Sequence, residues 1–546
     1  MKPIPSRTSD SWRTRPRGQV PFYPALVAAF PVLAVFSANS AIVPAAHLVR
    51  PLAVALGLAL ALQIAATLLW VPWRRLGRSA ARGAASTAVV VAWVWLYEPI
   101  VRLLHGVLPM PNMLPLYASV GLAVAVLAGV WGPRPRVPNL IAAAVALVSI
   151  GNVALTVGRP EFAAPFSAAT TPRARHDAKP LPPGPRPDIF LVVLDGFGRQ
   201  DSIRRVIGAD LGWFVDGLRE RGFKVADRAL SNYNQTELSV SSTLNMDLLK
   251  NLLPTSAIAA HDKRALGPLI GDSSVSRRLQ ASGYRPIAIG SGFDGLRLGR
   301  NEVPTSEQRG LTLFESVLLA KTPSAVSENV ARSMFDRHRD RLLGVFHRLE
   351  EMAKPTAQPR FVFAHVLAPH PPFVFGSNGE HRRPRGSFGY WDESDYMTYV
   401  GTPDDYRAGY AEQAAFVAKK VLALVDAFLA ANPDRPPIIL IQADHGSKIG
   451  LDQNSLENTD LAEAFSILYA AYVPEDVPMP VPDDAMPVNT FRRLLTALGA
   501  DDLPEIQAGV FYSTMPLPFE WTDVTAAVGR AEAVAVDVPG PEQDAG

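Results

Sequence analysis

Two acidic residues, a few hydroxyls and three imidazoles hold the chemistry this sequence could perform. Asp195 closes the run DIFLVVLDGFGR at 188–199, and Asp444-His445-Gly446 closes PPIILIQADHG at 436–446. Carboxylate oxygens and an imidazole nitrogen are ligands for a divalent ion such as Mn²⁺, Zn²⁺ or Mg²⁺. Thr236, within SNYNQTELSVSSTLN at 231–245, opens a predicted helix, where free backbone N–H groups and the dipole favour an anionic ligand. A hydroxyl there, coordinated to a metal, can lose its proton and attack phosphorus or sulfur. Ser239 is the best substitute nucleophile, with Ser241 and Ser242 nearby. His370, in APHPPF just past a strand, could bind or protonate an ester oxygen. His365 lies inside the apolar strand and reads as a satisfied core histidine or a second substrate contact. The same residues also have plain structural readings: helix caps at Asp195 and Thr236, turn residues at Asp444-His445, a solvated loop at His370.

The elements that must position them alternate along the chain. Ile189–Leu194 is a continuous apolar run, as in a strand buried on both faces of a parallel sheet. A helix is expected over 201–221, then extended chain after Gly222. A second unit runs over 276–293, with a helix, a stop at Gly283 and a strand. A third strand lies in 359–373, and a helix near 406–431 leads to the strand ending at Asp444. This alternation predicts an α/β domain with a mostly parallel sheet sandwiched by helices. Asp195 and Asp444 would then share the carboxyl edge of the sheet, where such folds build their sites.

In this order VVLDGFGR, NQTELSVSSTLN, HVLAPHPPF and ADHG resemble the alkaline phosphatase superfamily, in particular its sulfatase-like branch. Apolar spans followed by an external domain are similar to lipoteichoic acid synthases and phosphoethanolamine or phosphoglycerol transferases. The resemblance covers roughly 187–515. It implies one divalent metal ion held by Asp195, Asp444, His445 and Thr236. It implies Thr236 as the nucleophile of a covalent phospho-enzyme, and His370 at the substrate or leaving group. True sulfatases carry a Cys or Ser in a Cys/Ser-x-Pro-x-Arg motif, whereas NQTELS lacks the Pro and Arg. His445 is the last histidine of the chain, which favours a single-metal site.

The absence of cysteine removes disulfides, thiolate zinc ligands, a Cys nucleophile and iron–sulfur clusters. A net charge of +2 argues against a generally basic nucleic-acid binder. That figure averages two unlike halves. Residues 1–159 carry 14 Lys and Arg against Asp10 and Glu98 alone, a net of +12, and the rest carries −10. Apolar stretches near 21–43, 51–72, 84–104, 113–131 and 138–157 read as five transmembrane helices. Trp70, Trp73, Trp93, Trp95 and Trp131 fall mostly near span ends. Five basic residues precede the first span, four follow the second and two follow the fourth, while the other loops have only Arg50 and Arg102. The positive-inside rule therefore puts residues 1–20 in the cytoplasm, as a basic tail. Glu98 falls at the outer end of the third span and reads as an interfacial carboxylate.

The expected organisation is a five-helix bundle at 21–157, a Pro-rich linker at 158–187, an extracytoplasmic catalytic domain at 188–530 and a disordered tail at 531–546. The HRRPR run at 381–385 reads as a solvated loop, or as an attractor of anionic headgroups. The leading functional expectation is a plasma-membrane-anchored, metal-dependent transferase or hydrolase of phosphate esters. A lipid-headgroup phosphodiester is the expected substrate. The alternatives are a sulfate or phosphate monoester hydrolase on envelope glycans, and a non-catalytic envelope-assembly protein on the same fold. Oligomeric state is not encoded in any of these features.

Overall fold

A computed structural model describes residues 20–536, apart from 40–42, 44, 74–75, 98, 101–113, 133, 158–178, 185, 262, 294–295, 297, 304–310, 324–327, 385–395 and 398–399. The basic tail, Glu98 and most of the linker therefore lie outside the described residues. The chain forms two compact units, residues 1–37 with 48–154 and residues 38–47 with 155–546.

The first unit is built from apolar helices: α1 (Tyr23–Asn39), α2 (Val49–Trp70), α3 (Leu76–Trp95), α4 (Leu114–Trp131) and α5 (Arg136–Val157). Among the described residues, three helical stretches are long and apolar enough to cross a bilayer: Ala45–Trp70, Leu114–Trp131 and Arg136–Ala154. Two expected spans fall short of that standard. Helix α1 has only 17 residues, and α3 begins earlier than expected, with Arg78 and Arg82 inside it. Leu58, Leu69, Leu140 and Leu147 are each at least 66% exposed, so these helices are not the buried core of a soluble domain. Polar ties and small residues join them. Ser86 donates to the Ala125 carbonyl at 2.9 Å and Trp93 Nε1 to that of Tyr117 at 3.0 Å. At Gly121 a Cβ would come within 2.4 Å of the Trp93 ring, so α3 and α4 pack closely only because this residue is glycine.

The second unit holds a seven-stranded sheet. Its strands are β1 (Ile189–Leu194), β2 (Lys224–Val225), β3 (Arg285–Ile289), β4 (Glu302–Val303), β5 (Arg360–Val366), β6 (Ile438–Ala443) and β7 (Tyr469–Tyr472), in the order β2-β7-β6-β1-β5-β3-β4. The run from β6 through β1, β5 and β3 to β4 is parallel, as expected. The sheet is nevertheless mixed, because β7 runs antiparallel to both β6 and β2. The expected helix over 201–221 is two helices, α6 (Gln200–Val206) and α7 (Gly212–Glu220). Gly208, at φ +79°, breaks it with a backbone conformation that other residues rarely adopt.

Strand β1 is buried on both faces because helices cover both. Phe190, Val192 and Leu194 point into a core with α10 (Glu328–Glu351) and α11 (Pro403–Ala431). Phe190 stacks on Phe428 of α11 with centroids 4.2 Å apart. Ile189, Leu191 and Val193 point the other way, into a core with α8 (Thr236–Asn245), α9 (Ser274–Ala281) and α13 (Thr490–Ala497). A short pair, β8 (Phe511–Tyr512) and β9 (Thr522–Asp523), lies outside the main sheet.

The disordered tail expected from residue 531 is corrected at its start. Residues 531–536 continue α14 (Thr525–Val536). Alanine-rich TAAVGRAEAVAV favours helix, Asp523 accepts the Thr525 N–H at 3.0 Å, and Val528 is fully buried. Residues 537–546 lie outside the described residues. Leu191 fills the core under α8 with no exposure. Its replacement by alanine should cost about 2–5 kcal/mol, seen as a lowered unfolding midpoint of the detergent-solubilised protein; an unchanged midpoint would contradict this packing.

Candidate metal centre

Sheet register brings the two acids together. Leu194 of β1 lies opposite Ala443 of β6, so Asp195 and Asp444 follow as neighbours. Val193 lies opposite His365 of β5. Side chains alternate along a strand, so Asp195 shares Val193's face, the one on which α8 packs. Thr236 is the first residue of α8. Four sequence-distant segments thus converge at one sheet edge, and the side chains of Asp195, Thr236, His365, Asp444 and His445 are all buried.

The distances have a definite pattern. His445 Nε2 lies 3.4 Å from Asp195 Oδ1, 3.4 Å from Asp444 Oδ2 and 3.2 Å from Thr236 Oγ1. His365 Nε2 lies 3.3 Å from the other Asp195 oxygen, Oδ2. Ligand atoms of Asp195, His365 and Asp444 all lie within 4.8 Å of one another. Asp195 Oδ1, Asp444 Oδ2 and His365 Nε2 are buried without a hydrogen-bond partner, which is costly for a polar atom. A tetrahedral ion with ligands at about 2.0–2.1 Å sets them about 3.3–3.4 Å apart, which is the separation of His445 Nε2 from Asp195 Oδ1 and from Asp444 Oδ2. Two orphaned carboxylate oxygens about one imidazole nitrogen therefore fit a divalent cation. Asp195 is the shared piece, with one oxygen toward His445 and one toward His365.

Neighbouring groups orient this set. His445 Nδ1 lies 2.9 Å from the Gly446 carbonyl, which can only accept, so the neutral ring turns its bare Nε2 to the cluster. Asp444 Oδ1 accepts the Gly196 and His445 N–H groups at 3.0 and 3.1 Å, leaving Oδ2 to the cluster. Gly446 has no room for a side chain, since a Cβ would sit 1.9 Å from the Glu463 carbonyl oxygen.

Helix α8 is held by amide side chains just before it. Asn232 donates to the Gly509 carbonyl at 2.9 Å and accepts from Val488 N at 3.0 Å. Asn234 pairs with the Ser513 backbone in both directions, at 3.0 and 3.1 Å. Ser239, the substitute nucleophile, donates to the Tyr233 carbonyl at 2.9 Å and is turned to the backbone. Ser242 donates to the Asp247 carbonyl in the same way.

His370 stands beside this cluster. Its backbone N–H donates to the Asp195 carbonyl at 3.2 Å, and Nδ1 lies 2.6 Å from the Pro371 carbonyl. Burial alone would push the Asp195 carboxyl up, but His370, His365 and His445 hold it below the ordinary carboxylate range. Burial lowers His445, with Lys448 opposing its charge as well, although Asp444 and Asp195 favour it. His365 is no isolated core histidine: its Nδ1 lies 3.1 Å from Ser291 Oγ while its Nε2 faces Asp195. In the HRRPR run, His381 approaches Asp336 and Arg382 pairs with Glu412. These two residues face helix acids of their own chain.

No family model matches the sequence, and no curated protein matches it. Solved structures do. Solved structures similar to this chain include phosphoethanolamine transferases, sulfatases, a phosphonate monoester hydrolase and a protein of the alkaline phosphatase superfamily. The C-terminal periplasmic domain of EcEptC from Escherichia coli, in complex with Zn, matches at TM-score 0.40 and 13% identity, over 67% of this chain and 98% of that one. The integral membrane lipooligosaccharide phosphoethanolamine transferase A from Neisseria meningitidis matches at TM-score 0.35 and 10% identity, over 89% of this chain and 96% of that one. The phosphonate monoester hydrolase of Agrobacterium radiobacter matches at TM-score 0.35 and 13% identity, over 57% of this chain and 74% of that one.

Two supporting residues gave no sequence signal. Tyr410 of α11 donates to the Gly196 carbonyl at 2.8 Å and accepts from Gly198 N at 3.0 Å, holding the turn after Asp195. Glu463, on α12 (Leu461–Phe465), accepts from Ser447 Oγ, Ile449 N and Gly450 N, each at 2.7 Å. It clamps the loop that follows His445. Neither residue belongs to a motif, and neither contact leaves a periodic trace in sequence.

Burial pushes the Glu463 carboxyl up to about 7, against the pull of Ser447 and two backbone N–H groups, with Asp460 adding to the rise. Between about pH 4.5 and 7 the folded protein holds a proton that the unfolded chain has released. This group's contribution to stability is complete below that window and falls as pH rises through it. Glu463→Gln should therefore flatten the decline of the unfolding midpoint from about pH 5 to 8. It should also lower stability by about 1–3 kcal/mol at acid pH, through the lost acceptor. An unaltered pH slope would show that Glu463 does not titrate there.

Proposed function

We propose that this protein is a membrane-anchored, metal-dependent enzyme that acts on phosphate esters through a phospho-Thr236 intermediate. The observation that carries this reading is the pair of orphaned carboxylate oxygens, Asp195 Oδ1 and Asp444 Oδ2, beside Thr236 at a helix N-terminus. Asp195, Asp444, His445 and Thr236 would hold the ion. Once bound, it would lower the pKa of the Thr236 hydroxyl and neutralise charge building on the phosphoryl oxygens.

The chain's own groups do the rest. The free N–H groups at the start of α8 orient the anionic phosphoryl group. Thr236 gives its hydroxyl proton to solvent and Oγ1 bonds to phosphorus as the ester bond breaks, while His370 gives a proton to the departing alkoxide and regains one from solvent. An acceptor hydroxyl, from sugar, lipid or water, then takes the phosphoryl group and returns Thr236. A lipid-headgroup phosphodiester is the proposed donor, since apolar helices would keep the site near the bilayer. Thr236→Ala should lower turnover of a headgroup-labelled phospholipid by about a thousandfold or more. Elemental analysis should still find the ion, held more weakly. Retained turnover would remove Thr236 from the nucleophile's role.

Five spans with the N-terminus in the cytoplasm complete the proposed arrangement. The cysteine-free chain makes this simple to test, because an introduced cysteine is the only thiol. Lys354→Cys in right-side-out vesicles should react with a membrane-impermeant maleimide, and Ser6→Cys only after permeabilisation. The reverse pattern would invert the topology.

A further inference from the structure

The unit with the sheet hides its large apolar side chains almost completely. Among its described residues, Trp213, Met515 and Leu517 are the three left exposed. Met515 and Leu517, at 43% and 39%, stand two residues apart in the segment between β8 and β9, with the exposed Pro516 between them. Single apolar residues at a surface are ordinary. Two on one tip, in a domain that exposes one other, call for a partner.

The tip is held in place. Met515 N donates to the Gln453 carbonyl at 2.9 Å, and Glu520 N to that of Leu517 at 3.1 Å. Pro516 and Pro518 fix two backbone angles, and Phe519 is buried in a core with Tyr233 and Leu249. The same segment braces the start of α8. Gln235 Nε2 lies 3.2 Å from the Ser513 carbonyl, 3.1 Å from Ser513 Oγ and 3.2 Å from the Thr514 carbonyl. Glu237 lies 3.5 Å from Lys263, whose Nζ is 3.7 Å from Met515 Sδ. Both neighbours of Thr236 thus lean, directly or through Lys263, on residues 513–515.

The rest of the chain selects a bilayer as the partner. Three of its helical stretches are long and apolar enough to cross one, so a leaflet is tethered within reach of the tip. The unit with the sheet carries the acidic excess, so charge does not draw it to anionic lipid. Apolar contact is the remaining means. Burying two such side chains shifts a partition by roughly a hundredfold. That is too little to anchor a free protein. It is enough to orient a tethered one, whose effective concentration is about millimolar.

We propose that Met515 and Leu517 dip into the lipid leaflet and turn the start of α8 toward the headgroup layer. The inference rests on the membrane-anchored reading above. It assigns the membrane contact to one loop, and it makes that contact apolar rather than ionic.

The cysteine-free chain allows a direct test. Full-length Leu517→Cys protein, with an NBD fluorophore on its sole thiol, is placed in phosphatidylcholine nanodiscs. Lys354→Cys, at an exposed position of the same unit, is the reference. The Leu517 probe should emit further to the blue, and nitroxide on the lipid acyl chains should quench it severalfold more than the reference. Aqueous iodide should show the opposite order. The pattern should persist at about 1 M salt, where the Debye length is about 3 Å. Equal nitroxide quenching at the two positions overturns the proposal, and so does loss of the difference in salt. A blue shift without nitroxide quenching also overturns it, since protein (a second copy or the chain's own helices) would then cover the tip. The double variant Met515→Asp with Leu517→Asp supplies a second readout. It should lower turnover of a headgroup-labelled phospholipid in nanodiscs by about tenfold or more, and leave cleavage of soluble bis(p-nitrophenyl) phosphate unchanged. Equal losses on both substrates would reduce the loop to a brace for α8 and overturn the membrane contact. Quenching is read without turnover, so its failure leaves the role of Thr236 standing, and retained turnover in Thr236→Ala would leave the membrane contact standing.

Discussion

Two carboxylates lie side by side at the carboxyl ends of adjacent parallel strands, buried, and this repulsion organises the rest of the site. Like charges at such range are costly where water is excluded. Asp195 and Asp444 cannot move apart, because the ladder between β1 and β6 fixes their backbone. Positive charge or a cation must come to them instead. The histidines at 365, 370 and 445 are placed accordingly, and each side of the Asp195 carboxylate has an imidazole near it. The orphaned oxygens mark where hydrogen bonding stops and where a cation would fit.

Much of this was readable from the chain. Buried parallel strands are continuous apolar runs, so β1 and β6 and the acids ending them stood out. Thr236 was legible as a helix start, and the helix does begin there. What escaped was tertiary. His365 sits among apolar neighbours and reads as core or as a substrate contact, and its place beside Asp195 needs the register that sets it opposite Val193. Tyr410 and Glu463 act through contacts between segments far apart in sequence, and no local pattern encodes such contacts. The antiparallel β7 was hidden as well, because an apolar strand buried on both faces carries no mark of its direction. The alanine-rich end was misread for a related reason: its acidic, proline-flanked composition outweighed its helix propensity.

The charge division along the chain now has a structural counterpart. The basic excess belongs to the segment with the apolar helices, where acids are nearly absent, and the acidic excess lies in the unit with the sheet. A domain of net negative charge has no general attraction for anionic lipid. Recognition of the proposed phosphate group would then be local, at the start of α8 and at the cluster beside it. This is consistent with a site whose polar groups are almost all buried.

The amide ladder from Asn232, Asn234 and Gln235 to residues 509–514 has a consequence for the order of assembly. Residues 509–514 leave the ribosome long after Thr236 and Asp444. Until they arrive, the start of α8 lacks the partners that hold it. Asp195 and Asp444 are thus synthesised before the partners that place Thr236, so the proposed site is complete only when this late stretch of chain meets the early one.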